Sequence, residues 1–326
     1  MAYSSGSVIL DDDYNIFATG NAAGTGDNNV ANINSVWGAG TGDKGYGQTN
    51  TVSAVSAGST ITATQWATLL NRISSAANHQ GTTITSITNP VAGDTIEAYA
   101  ALQSNVTSIF NNRLNADASG TDASASHNTT STWSTSASTT KTITFGSATQ
   151  LRYFFNAGGM IRVNFSLTGG SDDKSTSWAT LLSNVGTIVL TGSGTSKSIA
   201  GTTYTGTTKI GGGGTPSTLL TGTGALDLTT TPTTIFQQSA STYLYTANYA
   251  RIQASVNSNV LTLSVLLQDD AIDETTIGGA EWTGNPADDI VDGTLTMTTV
   301  IRPPSTTYIT NTWGTPAQNS ATWTVS

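Results

Sequence analysis

Apolar residues follow two different periods along the 326-residue chain. Up to about residue 115 they recur at the spacing of a helical face, and from Lys141 onward they alternate. In the first region two helices carry their own start signals. Thr62 followed by Gln65, and Asp94 followed by Glu97, have the spacing of a capping box, in which each side chain satisfies an otherwise unpaired backbone donor. Behind the first box Trp66, Leu69, Leu70, Ile73 and Ala77 share one face; behind the second, Tyr99, Leu102, Val106, Ile109 and Phe110 do so. The short theme AGSTI at 57–61 returns as AGDTI at 92–96, thin support for a duplicated turn-plus-helix unit. The polar faces carry Thr, Ser, Asn and Gln in place of Lys and Glu pairs, so ionic support along the helices is small. Such helices depend on packing, and a neighbouring subunit or a companion domain is expected to cover their stripes.

Residues 116–142 are small and polar apart from Trp133 and read as a linker. Beyond them the pattern predicts strands. Leu151, Tyr153 and Phe155 alternate up to a turn at 156–159, and Ile161, Val163, Phe165 and Leu167 continue after it, a hairpin signature. Ile252, Ala254 and Val256 alternate up to Asn257-Ser258-Asn259, and Leu261, Leu263, Val265 and Leu267 alternate back. Leu295, Met297, Thr299 and Ile301 form one more strand, which Pro303-Pro304 stops. The pentapeptide WATLL, at 66–70, recurs at 178–182, where it predicts one short helix between strands. The expected fold is mainly β. A loop-rich region with short α-helices spans 1–115, a polar linker follows at 116–142, and an antiparallel β-sandwich or jelly-roll-like domain occupies 143–326.

Composition narrows the function. Charged residues make up only 10% of the chain, while 37% are apolar, so it can order itself despite its weak ionic character. With 20 carboxylates against 11 Lys and Arg the net charge is −9, and no basic cluster stands out, which argues against nucleic acid and against an anionic membrane surface as partners. Cysteine is absent, so disulfides and thiolate metal sites are not available. The opening MAYSSGSVILDDD lacks the basic start and apolar run of a secretory signal, and no segment reaches the roughly 18 apolar residues of a membrane span. The expectation is a soluble protein, or one carried within a larger assembly.

Several residues are candidates for chemistry. GTGDKG at 40–45 matches the dinucleotide-binding pattern G-x-G-x-x-G, but Ile33 and Trp37 upstream have helical spacing and no helix follows, so a tight loop is expected after a helix ending at Gly38. His79 is placed at a helix C-terminus, where its charge would favour the dipole, and His127 in the polar linker; neither has a nucleophile motif beside it. Acidic residues cluster at 11–13, 172–173, 269–274 and 288–292. Paired carboxylates can cleave glycosidic bonds at the right separation. Asp269, Asp270, Asp273 and Glu274 form a weak Ca²⁺ candidate, with hard oxygen ligands but no known loop spacing. The favoured reading of these clusters is solvated loop charge. Trp282, Trp313 and Trp323, in the turn-rich C-terminal stretch, are the candidates for a contact surface.

The order DYN (13–15), VWGAGTGDKGYGQ (36–48), AGSTITATQWATLLNRI (57–73) and NHQG (78–81) resembles the N-terminal part of tail-fibre-like virion structural proteins. Those belong to tailed phages that infect marine bacteria and cyanobacteria. RYFFNAGGMIRVNFS (152–166) resembles a segment further along the same proteins. The resemblance implies a virion component with no catalytic residues and no cofactor. It is expected to be a tail fibre or appendage, a homotrimer by analogy, adhering to host surface glycans or to another virion protein. The alternatives are a decoration, neck or collar protein without host contact and, from another class, a polysaccharide-cleaving tail spike.

Overall fold

The computed structural model describes residues 10–91, 99–242, 244–271 and 290–326. Among the described residues strand outweighs helix, 29% against 24%, which makes the fold mainly β. The N-terminal third holds α1 (Asp11–Thr19), α2 (Ile33–Trp37), α3 (Ala63–Gln80) and α4 (Tyr99–Asn111), with α1, α3 and α4 all meeting α2. The Thr62 capping box is formed as expected: the Gln65 amide donates to Thr62 Oγ1 at 3.2 Å, and Thr62 N–H donates to Gln65 Oε1 at 2.9 Å. Gly81 ends α3 in the left-handed region, at φ +67°. Asp94 and Glu97 lie outside the described residues. Trp66, Leu69, Ile73, Leu102, Val106 and Ile109 are buried, in one continuous core with the β-strands. The stripes are therefore covered within the same chain.

Residues 123–144 correct the linker expectation. They form β1 (Ala123–Thr129) and β2 (Ser136–Thr144), so the β-body begins well before residue 143. Alternation was hidden because two of the inward positions of β2 are polar. Between Ala137 and Ile143 stand Thr139 and Lys141, whose hydroxyl and ammonium donate to the Thr322 and Asn319 carbonyls at 2.8 and 2.6 Å. A second correction falls on Leu151, Tyr153 and Phe155, which lie on α5 (Ala148–Asn156) and not on a strand. Leu151, Phe154 and Phe155 satisfy a helical period as well as Leu151, Tyr153 and Phe155 satisfy an alternating one. Ser147 decides between them by accepting the Gln150 amide as N-cap, and Phe154, which alternation would turn outward, is fully buried edge-on to Phe155 at 5.1 Å.

The remaining elements follow in order: β3 (Met160–Thr168), α6 (Asp173–Val185), β4 (Thr187–Leu190), β5 (Lys197–Ile199), β6 (Thr202–Tyr204), β7 (Thr207–Ile210) and β8 (Thr218–Leu219). After them come β9 (Thr233–Ser239), β10 (Tyr249–Asn257), β11 (Val260–Gln268), β12 (Thr294–Arg302), β13 (Ala317–Gln318) and β14 (Trp323–Val325). Apart from the separate β5–β6 pair, the strands build two antiparallel sheets in a β-sandwich-like arrangement. One has five strands in the order β1-β12-β3-β4-β7; the other has seven, β13-β2-β11-β10-β9-β8 with β14 also on β2. The β10–β11 hairpin turns where expected, at Ser258 with φ +56°, and sets Ile252 opposite Val265 and Ala254 opposite Leu263. The second WATLL lies on α6, which packs on β3, β9 and β10 with Trp178, Leu181, Leu182 and Val185 inward.

The two sheets also meet at their margins. On one side Gln318 Nε2 and Trp323 Nε1 donate to the Ala123 and His127 carbonyls of β1, at 3.1 and 3.4 Å. On the other, Thr207 of β7 donates through its amide to Leu220 O at 3.3 Å and through its hydroxyl to Thr223 O at 3.2 Å, beside β8.

Candidate functional site

The glycine loop at 38–48 joins the helical region to the β-body. Helix α5 presents Arg152, Tyr153 and Asn156 to it. Arg152 donates to Lys44 O at 2.6 Å and Ala39 O at 2.8 Å, and Asn156 Nδ2 donates to Lys44 O at 2.9 Å and Gly42 O at 3.1 Å. Gly47, at φ +73°, lies flat against the Tyr153 ring, where a Cβ would come within 2.3 Å. Beyond the loop, Gln48 exchanges bonds with Thr310, its Nε2 donating to Thr310 O at 3.0 Å and its Oε1 accepting the Thr310 amide at 2.9 Å; the Thr312 hydroxyl donates to Tyr46 O. Tyr46 is buried, accepts from Gln80 at 2.8 Å and donates to Arg113 O at 2.8 Å. At the loop's rim Arg113 pairs with Asp43 at 2.5 Å. Burial pushes the Asp43 carboxyl up, but the bond and charge of Arg113, with Lys44, outweigh it and hold the group below the usual carboxylate range. With side chains spent on the loop carbonyls and a ring against Gly47, GTGDKG is a structural joint and has no phosphate cradle.

His79 belongs to the same joint. Burial lowers its pKa to about 4, so it is neutral, and its Nε2–H donates to Ala157 O at 3.0 Å. The expected favourable charge at the helix end is therefore not present; the ring ties α3 to the end of α5. His127 is on β1, with Nε2 3.0 Å from the Thr139 hydroxyl and its ring 5.7 Å from that of Trp323.

The acidic residues are more engaged than solvated loop charge would be. Asp269 is buried and paired with the buried Lys174 at 2.9 Å; burial raises its pKa, and Lys174 opposes that rise. Asp270 is exposed and accepts from Gln268 Nε2 at 3.0 Å, so these two members of the Ca²⁺ candidate have different partners, while Asp273 and Glu274 lie outside the described residues. Asp172 caps α6 through the Ser175 amide at 2.6 Å, and Asp292 accepts from the Ser175 hydroxyl at 2.9 Å. Among the described residues no group of three or more His, Asp or Glu side chains is placed to hold a metal ion, and no helix is long and apolar enough to cross a membrane.

Of the aromatic contact candidates, Trp313 is corrected. Trp313 is 2% exposed, beside an apolar cleft of about 310 Å³ that includes Ile301, Pro303, Pro304 and Pro316. Trp323 is half-buried against His127, and Trp282 lies outside the described residues. Trp133 and Trp178 are buried against each other, edge to face at 4.6 Å.

A different surface opens on the seven-stranded sheet. A cleft of about 510 Å³ lies between its outer face and the segment 319–324, lined by Ser138, Thr139 and Thr140 of β2, Gln253 of β10, Ser264, Val265 and Leu266 of β11, and Asn319, Ser320, Ala321, Thr322 and Thr324. It exists because β13 and β14 pair with β2 only at 143–144 and 137–139, so that the chain between them bulges away. Lys141 and Thr139 fill the gap from beneath. Sequence reasoning passed over this cleft, whose only local signal was the run of outward Ser and Thr.

No protein-family model matches the chain, and no curated protein or solved structure matches it.

Proposed function

We propose that the protein is a structural component of a tailed-phage particle, a tail fibre or tail appendage that adheres to the host surface. The observation that carries this reading is the joint at 38–48. The stretch on which the resemblance to virion proteins is most specific is spent on holding the helical region to the β-body, and its glycines serve backbone geometry. That is the economy of a building block. Three of the described acidic residues point the same way: Asp269, Asp172 and Asp292, which could serve a polysaccharide-cleaving spike as acid and base, are engaged by Lys174 and Ser175. In this reading the chain works in several copies, a homotrimer by the resemblance, with other virion proteins at one end.

Labelling of particles with an antibody against the β-body tests the proposal. Signal at the tail tip is the expected result. Signal on head or neck would instead favour the decoration or collar alternative, and particles without signal would overturn a virion role. Cleavage of host polysaccharide by the purified chain would move it to the spike class.

A further inference from the structure

We propose that the cleft on the outer face of the seven-stranded sheet binds a neutral polysaccharide, an inference that rests on the adhesion reading above. Its walls are a regular array. Gln253, Ser264 and Thr140 stand side by side on three neighbouring strands, and Thr324, Ser138 and Leu266 form the next row, with Arg251 beyond Leu266. Neighbouring strands are about 4.8 Å apart and same-face residues about 6.8 Å apart along a strand, which sets hydroxyls and amides at the scale of a sugar ring.

These groups have bonding capacity left. Among the described residues the hydroxyls of Ser138, Thr140, Ser264 and Thr324 make no hydrogen bond to another protein group. Gln253 spends its Nε2 on Thr234 Oγ1 at 3.3 Å and keeps Oε1; Asn319 spends Oδ1 on the Thr142 amide at 2.6 Å and keeps Nδ2. Donors and acceptors are thus both available on a rigid surface, and little ordering is needed for them to engage a ligand.

Charge selects the class of ligand. No Asp, Glu, Lys or Arg is among the lining residues: Lys141 beneath is spent on the Asn319 carbonyl, Arg251 beside Leu266 lies over the Tyr249 ring, and the chain as a whole carries −9. An acidic polysaccharide or a nucleic acid meets no cation in the lining and is repelled at long range. A protein partner is less well matched, because protein interfaces are anchored by buried Trp, Tyr or Arg, and the lining contains none. A neutral polyhydroxylated chain fits an uncharged array of hydroxyls and amides. A shallow polar cleft binds each sugar segment weakly, and many copies on one particle multiply the effect.

The test applies the purified full chain to a printed array of neutral glucan, galactan and mannan oligosaccharides beside uronic-acid oligosaccharides. Binding to one or more of the neutral series is expected. Thr140→Glu should weaken it at least tenfold and Ser264→Ala several-fold, with melting temperatures unchanged, while Ser166→Glu on the exposed side of β3 should leave it as it was. Because Ser264→Ala only removes an oxygen, it remains decisive if Thr140→Glu perturbs folding. Absence of neutral binding, binding to the acidic series alone, binding that survives both cleft variants, or occupation of the cleft by a virion protein would each overturn the assignment. If the array fails while particles label at the tail tip, only this cleft is lost; if labelling fails, the adhesion reading falls whatever the array shows.

Discussion

Replacing Gly47 by Ala separates two costs that the joint at 38–48 combines. Gly47 is in the left-handed region at φ +73°, which costs an L-residue about 1–2 kcal/mol. The new methyl would also press into the Tyr153 ring, and relieving such overlap costs about 1–3 kcal/mol. The expected loss is therefore about 2–5 kcal/mol, a large share of the roughly 5–15 kcal/mol available to a folded domain. Gly42 supplies the control, because it is also left-handed at φ +58° but has nothing within 4 Å of its Cβ position. Gly42→Ala should lose only the conformational part. Tyr153→Ala should remove the overlap, so that adding Gly47→Ala in that background costs about 1–2 kcal/mol, a coupling that a double-mutant cycle reads directly. Urea unfolding followed by tryptophan fluorescence is a suitable assay, since Trp37 is buried just before the loop. Equal losses at Gly42 and Gly47, or no relief from Tyr153→Ala, would refute the picture of a rigid joint.

Two further predictions concern buried ionisable groups. His79 is held near pKa 4 against an ordinary 6.5, so between these values the unfolded chain takes up a proton that the folded chain refuses; stability is full above pH 6.5 and falls by up to about 3 kcal/mol on acidification to pH 4. His79→Gln should flatten that acid limb in urea midpoints measured against pH, and an unaltered slope would count against a neutral, buried ring. At the other end of the molecule, Lys174→Met should cost about 3–5 kcal/mol by stranding the Asp269 carboxylate, whereas Lys174→Met with Asp269→Leu should come back close to the parent in thermal melts. A double variant as unstable as the single one would show that the pair itself contributes the stability.

Elements whose signals are local were legible in the chain. The Thr62 box and the stripe from Trp66 to Ala77 give α3, and two alternating runs around Asn257-Ser258-Asn259 give the β10–β11 hairpin. Where two periods fit the same letters, as from Leu151 to Phe155, the choice rested on one capping serine and was misread. Strands β1 and β2 were hidden because hydroxyls and a lysine occupy positions where apolar residues were sought. The joint was illegible for another reason: Arg152 and Asn156 lie 108 and 112 residues from the Lys44 carbonyl they bind, and no local rule connects them. The cleft likewise needs the register of three strands and the course of the C-terminal segment, so that Trp282, Trp313 and Trp323 drew attention in place of Ser138, Thr140 and Ser264.

The margins of the two sheets bear on life at high local density. Side chains from β13 and β14 take up the Ala123 and His127 carbonyls of β1, and β7 leans on β8, so part of each margin is already engaged. Edge-to-edge joining of crowded molecules is made harder at those points.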